Sequence, residues 1–187
     1  MIHYGVNRPL RRDVLRLASR QLRWVPSLLR GGSQLTWDEF KDAAPELAAL
    51  GKERFEATGL VLVGSLRKNG WPRISPVEPL FADGQLYLGM MWQSRKALDL
   101  KRDSRCTVHN TVSSRDGREG EFKVYGRAVE VTDLEARRRY GDALYEKIGF
   151  KPEEPEYHLF SIDVEIASFA VVQDDEWSRK LWKAPKG

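Results

Sequence analysis

Gly59-Leu-Val-Leu-Val-Gly-Ser-Leu66, then Arg67-Lys-Asn-Gly70, then Trp71-Pro-Arg-Ile-Ser-Pro-Val-Glu-Pro-Leu-Phe81 decides the fold. The first segment is rich in β formers, the Asn69-Gly70 pair suits the left-handed angles of a tight hairpin, and the third is the return strand. Pro72, Pro76 and Pro79 delete three backbone donors from that return, so it must be irregular or run along an edge. An irregular edge leaves backbone free to meet a ligand.

Downstream, Ala82-Asp83-Gly84 turns the chain into a strand over residues 85 to 91, and Ser94 starts a short helix through Arg102. Strands follow at 105 to 112 and 121 to 132, joined by a polar loop over 113 to 120. Thr132 and Glu135 cap a helix reaching Ile148, residues 157 to 173 read as two last strands, and a polar tail holds Trp177 and Trp182. Upstream, Thr36 and Glu39 have capping-box spacing ahead of Trp37, Phe40, Leu47, Leu50 and Phe55, in a helix that Pro45 divides. Runs of antiparallel strands with marginal helices predict an α+β, mainly β, barrel rather than an alternating doubly wound sheet.

The 187 residues suit one domain with an extension, a split that falls between residues 1–35 and 36–187. The extension holds seven arginines against Asp13, a net +6, so the rest of the chain carries −2 and the basic balance belongs to the arm. Leu10, Val14, Leu17, Ala18, Leu22 and Val25 recur there at helical spacing, which makes a basic amphipathic helix. Packing of residues 8 to 30 onto the barrel or a second subunit is the expectation. A targeting peptide, a membrane-surface contact and a nucleic-acid contact are the rivals. Charged residues at 31% and the absence of long apolar runs argue against membrane insertion, and the body carries no basic excess for nucleic acid. One cysteine, Cys106, fits a reducing, cytoplasmic setting, and His3, His109 and His158 have no metal-ligand spacing. Walker, GxGxxG, HExxH and GxSxG signatures are missing from the sequence, as are internal repeats.

Arg73, Ser75, Ser94, Arg95 and Lys96 form a phosphate-binding constellation on a strand and at a helix start. A helix N-terminus presents unpaired N–H groups and partial positive charge to an anion, and Ser94 sits at the N-cap position. Arg95 and Lys96 oppose the dipole there unless an anion offsets them.

Gly-Trp-Pro-Arg-Ile-Ser-Pro-Val at 70 to 77, Asp-Gly-Gln-Leu-Tyr-Leu at 83 to 88, Ser-Arg-Lys-Ala-Leu-Asp-Leu-Lys-Arg-Asp-Ser-Arg at 94 to 105 and Val-Tyr-Gly-Arg-Ala at 124 to 128 resemble the pyridoxamine-phosphate-oxidase-like flavin-binding split barrels. The resemblance covers residues 57 to 132 and extends less clearly to 187. It implies an antiparallel Greek-key split β-barrel that binds FMN, or the deazaflavin coenzyme F-420, across a homodimer interface. By that resemblance Arg73, Arg95 and Lys96 hold the cofactor phosphate with Ser94. Backbone of Ile74, Ser75, Pro76, Val77 and Glu78, and of Gly89, Met90 and Met91, lines the ribityl chain and ring. Glu121, Lys123, Trp177 and Trp182 become candidates for contacts from the other subunit, although Trp92, Trp177 and Trp182 equally suit a buried dimer core.

Members that oxidise vitamin B6 vitamers carry a tryptophan-led segment with arginine and histidine near the C-terminus, where this chain reads Phe-Ser-Ile-Asp-Val-Glu-Ile-Ala-Ser-Phe at 160 to 169. That difference argues against vitamer oxidation. A flavin supplies hydride or electron chemistry itself, so no catalytic side chain is named. An oxidoreductase acting on a small organic molecule is expected. The alternative is a carrier or sensor binding flavin or haem, with His109 and His158 as the axial-ligand candidates within the body.

Overall fold

The computed structural model describes residues 34–185. The arginine-rich arm therefore lies outside the described residues, apart from Gln34 and Leu35. From Thr36 onward the helices and hairpins form in the expected order. Thr36 and Glu39 make both halves of the capping box that starts α1 (Trp37–Ala43), and Pro45 opens α2 (Pro45–Glu56). The hairpin of β1 (Val61–Leu66) and β2 (Pro72–Val77) turns with Gly70 alone in left-handed geometry, at φ 83°. Asn69 contributes through its side chain, whose Oδ1 accepts from the Trp71 N–H at 3.2 Å.

The predicted return strand over 71 to 81 is two strands. After β2 the chain passes through Glu78 into β3 (Pro79–Ala82), which pairs with β4 (Gln85–Met91). The helix α3 (Arg95–Arg102), strands β5 (Arg105–Asn110) and β6 (Glu121–Glu130), helix α4 (Leu134–Ile148), and strands β7 (Tyr157–Gln173) and β8 (Glu176–Lys183) complete the chain. Two further expectations are corrected. Residues 157 to 173 make one strand, because no glycine or proline interrupts them, and the polar tail that holds Trp177 and Trp182 forms a further strand, β8, paired with β7. The cap of α4 is also one residue later than expected, with Asp133 accepting from the Ala136 N–H.

All pairings are antiparallel, in the order β2-β1-β5-β6-β7-β4-β3, with β8 added to the far half of β7. The neighbours β1–β5 and β4–β7 make the Greek-key crossings. β2 and β3 stand at opposite ends of this order yet are joined through one residue, so the sheet must curl until its ends meet. Prolines at those ends cost no ladder bond that a neighbour needs. The result is a split barrel whose opening is bounded by the proline-rich segment.

Inward residues fill the barrel: Val61, Val63, Leu86, Leu88, Val108, Phe122, Val124, Phe160 and Ile162 are all buried. At the Phe122 end, α1 and α2 add Trp37, Phe40 and Phe55, with the Phe55 and Phe122 rings 5.1 Å apart. At the other end α3 inserts Ala97 and Leu100. A register shift at Tyr125/Gly126 lets β6 bend, and a side chain at Gly126 would place its Cβ 1.9 Å from the Asp163 carbonyl oxygen. On the outside of β3, β4 and β7, Tyr140 and Leu144 of α4 pack against Leu80, Tyr87, Tyr157 and Leu159. Among the described residues no helix is long and apolar enough to cross a membrane.

Candidate cofactor site

The site begins with an open backbone edge. Among the described residues β2 has a ladder partner only in β1, and β3 covers β4 no further than Leu88. The strand end Gly89–Met91 is therefore bonded on one side only, to Leu159, His158 and Tyr157 of β7. β2 and β4 approach each other across the opening. The two backbone segments singled out in the sequence, 74 to 78 and 89 to 91, thus come together on either side of the split.

Beside it lies an open cleft of about 650 Å³ between the β1–β2 turn and α3. The turn contributes Arg67, Lys68 and Asn69, and β2 contributes Arg73. The helix contributes Arg95, Leu98, Asp99 and Arg102, residues that share one face because their spacings are three, four and seven. Five cations therefore surround one acid. Asp99 is buried and takes Arg73 Nε at 2.6 Å and Arg102 Nη1 at 2.9 Å. Burial alone would raise its pKa, but the bonds and charges of the two arginines outweigh that and hold the carboxyl below its usual range. Arg73 spends only its Nε on Asp99, so its terminal amino groups are not used by that bond.

Ser94 occupies the N-cap of α3 as expected, yet its side chain makes no capping bond. Its hydroxyl is buried without a partner among the described residues, and so is the Ser65 hydroxyl on β1, directly across from Arg73. Arg95 has no ion-pair partner among the described residues, and the first turn of α3 contains no acid. Lys96 donates to the Pro76 carbonyl at 3.0 Å; burial lowers its pKa, with Glu78 partly offsetting the effect. An unpaired arginine, a lysine bound only to a backbone carbonyl, an orphan hydroxyl and a helix start fit a phosphate dianion. When bound, a flavin-type group held there would supply the redox chemistry.

Ser75 and Val77 face inward on β2, while Ile74 and Pro76 face outward. Lys123 pairs with Glu121 at 2.7 Å on the outer face of β6, and that bond lowers the Glu121 pKa despite partial burial. Trp182 turns inward, its ring 4.8 Å from Phe40, whereas Trp177 stands on the outer face of β8 and is 68% exposed. His109 Nδ1 sits against the Asn110 carbonyl at 2.5 Å. Burial pushes the Cys106 thiol up to about 12, so it is not a thiolate nucleophile. Arg67, Lys68, Asp99 and Arg102 were not foreseen. The spacing of 95, 98, 99 and 102 was readable, but not which hairpin would lie against that helix face.

A split barrel with a cationic cleft at its opening is the class this geometry defines. The chain belongs to the pyridoxamine 5'-phosphate oxidase family, whose profile matches residues 49–169. No curated protein sequence matches it. Among solved structures it is similar to a Clostridium acetobutylicum protein related to general stress protein 26 of Bacillus subtilis. That match has 17% identity and a TM-score of 0.54, over 78% of this chain and 95% of that one. It is also similar to a haem-binding protein of Mycobacterium smegmatis, with 16% identity and a TM-score of 0.52 over 71% of this chain and 57% of that one. A haem storage protein of Vibrio cholerae matches at 14% identity and a TM-score of 0.50, over 65% and 89%. At these identities the likeness establishes the fold.

Proposed function

We propose that this chain is a flavin-type oxidoreductase, holding FMN or the deazaflavin F-420 by its phosphate and acting on a small organic substrate. The observation that carries the reading is the start of α3: Arg95 unpaired, Ser94 Oγ buried and unpartnered, and Lys96 tied to the β2 backbone, all beside the open edges of β2 and β4. In this reading Arg73, Ser94, Arg95 and Lys96 bind the phosphate, and the backbone of residues 74–78 and 89–91 orients the ring. Vitamer oxidation is disfavoured. Phe160, Ile162, Val164, Ala167 and Phe169 lie in the core, while Ser161 and Asp163 accept bonds from Gln34 and the Leu35 N–H. That segment contains no arginine, lysine or histidine to hold a second phosphate.

The competing reading is a haem-binding module, and the unpartnered Nε2 of His158 is the observation on its side. That ring is only 2% exposed and is covered by Trp92 at 4.6 Å, so a haem would have to displace Trp92. The absorption spectrum of the purified protein, followed by titration with FMN and F-420, separates the readings. A Soret band, or failure to bind either flavin, overturns the proposal.

The proposed assembly is a homodimer through the outer sheet face, where Ile74 is 72% exposed and Tyr125, Trp177 and Leu181 are also exposed. Light scattering should give a dimer for the wild type and a monomer with weakened cofactor binding for Tyr125→Arg. A wild-type monomer that still holds cofactor tightly would contradict the shared site.

A further inference from the structure

The link from β4 to α3 is Trp92, Gln93 and Ser94, three residues that set where the phosphate-binding side chains stand. Gln93 takes a left-handed conformation at φ 55°, and the Ser94 N–H donates to the Met91 carbonyl at 3.1 Å. The half-exposed indole of Trp92 lies flat on the imidazole of His158, with centroids 4.6 Å apart and planes 12° from parallel. His158 is buried on β7, paired in register with Met90 of β4 and backed by Phe160. Its Nδ1 is 3.2 Å from Glu130 Oε1. A carboxylate only accepts, so Nδ1 carries a proton. The same Glu130 oxygen takes Lys101 Nζ at 2.9 Å, from the last turn of α3. One histidine–glutamate pair in the barrel wall therefore grips both the turn before α3 and the turn that ends it.

We propose that His158, together with Trp92 and Glu130, is a positioning cluster for the cofactor phosphate. The role rests on the phosphate site proposed above. Arg95 and Lys96 repel each other and the positive end of the helix dipole, so without an anion the free turn tends to relax outward. The stack on His158 opposes that relaxation and keeps Ser94, Arg95 and Lys96 in place before the anion arrives. Preorganisation of this kind strengthens binding by cutting the ordering cost. His158 touches no reacting atom and acts through Trp92.

The experiment compares FMN with riboflavin, which differ in the phosphate, by fluorescence titration of the full-length wild type, Trp92→Leu, Trp92→Phe and His158→Leu. F-420 and its phosphate-free chromophore replace them if the protein takes the deazaflavin. Trp92→Leu and His158→Leu should each weaken FMN binding by roughly tenfold, a loss comparable to one charge-assisted phosphate bond, and change riboflavin binding less than about twofold. Trp92→Phe keeps a flat ring and should recover most of the loss. Because Trp92 is half exposed, Trp92→Leu keeps the fold, and circular dichroism checks this for each variant. Equal losses for FMN and riboflavin, or unchanged FMN binding in Trp92→Leu, overturn the positioning role. A wild type that does not distinguish FMN from riboflavin overturns the phosphate site itself, a different failure.

Discussion

Two arginine-rich corners of this barrel are built on opposite plans. In the corner between α4 and β7, buried Arg137 is fully employed: Nε and Nη2 reach Glu154 at 2.8 and 2.7 Å, Nη1 reaches the Val131 carbonyl, Nη2 also reaches the Tyr157 carbonyl, and the guanidinium lies 4.1 Å over the Tyr157 ring. Tyr157 closes the circuit by donating to Glu154 at 2.8 Å. At α3, by contrast, Arg95 on the cleft wall has no ion-pair partner among the described residues, and the buried hydroxyls of Ser94 and Ser65 have no hydrogen-bond partner among them either. Charge that is satisfied within the chain is there for the fold. Charge left unsatisfied beside a buried orphan is the ground on which a binding role is proposed.

The comparison breaks most visibly at Arg137. Arg137→Met strands Glu154 and two carbonyls, and should cost about 2–3 kcal/mol in urea unfolding, below the ~3–5 of a fully buried pair because Glu154 is half exposed. FMN affinity of the folded variant should stay as in the wild type. Arg95→Ala and Lys96→Ala should do the reverse, each weakening FMN binding by about 1.5–3 kcal/mol with little change in the urea midpoint. Titration of FMN and F-420 into each variant checks this, and unchanged affinity for both refutes the phosphate assignment.

Asp99 belongs to both plans, since it is buried and paired but lines the cationic cleft. Its native pKa is lowered, so the stability it contributes is complete above the unfolded value of about 3.9 and is lost as pH falls through the lower native value. Asp99→Asn should therefore be less stable at pH 7 by about 1.5–2 kcal/mol, with the gap to wild type closing below about pH 4. Removing the one acid also leaves the cleft more positive, so FMN should bind at least as tightly. Urea midpoints from pH 7 down to the acid limb test the first expectation, and a gap that widens on acidification contradicts it.

Much of the fold could be read from local chemistry. The capping box at Thr36, the break at Pro45, the glycine turn at Gly70 and the prolines of the return strand each act within a few residues, and each is found where the pattern places it. What could not be read was long-range. Nothing near Glu78 says that β2 and β3 will stand at opposite ends of the sheet, or that β7 will run on past β4 to pair with β8. The same divide holds at the site. Arg73, Ser94, Arg95 and Lys96 stand out by type and position, whereas Arg67 and Lys68 join Arg73 and Arg95 in the cleft only because the hairpin tip lies over α3. Trp92 and His158 are 66 positions apart and share no motif, so their stack is visible only in three dimensions.

The smallest expected effect separates the two plans most cleanly. A serine at an N-cap ordinarily stabilises its helix by roughly 0.5–2 kcal/mol, because its oxygen accepts from a free N–H of the first turn. Ser94 makes no such bond, and its oxygen is buried without a partner among the described residues. If the residue serves the fold, Ser94→Ala should show the ordinary capping loss. If its hydroxyl is kept for a phosphate, the substitution removes a desolvated group that gains nothing in the free protein, and stability should hold within about 0.5 kcal/mol or rise. The loss should appear instead in FMN affinity, at about 1 kcal/mol for one hydrogen bond, and be absent with riboflavin. Urea unfolding with and without FMN measures both. A helix-capping loss in the free protein, with FMN affinity intact, would assign Ser94 to the fold.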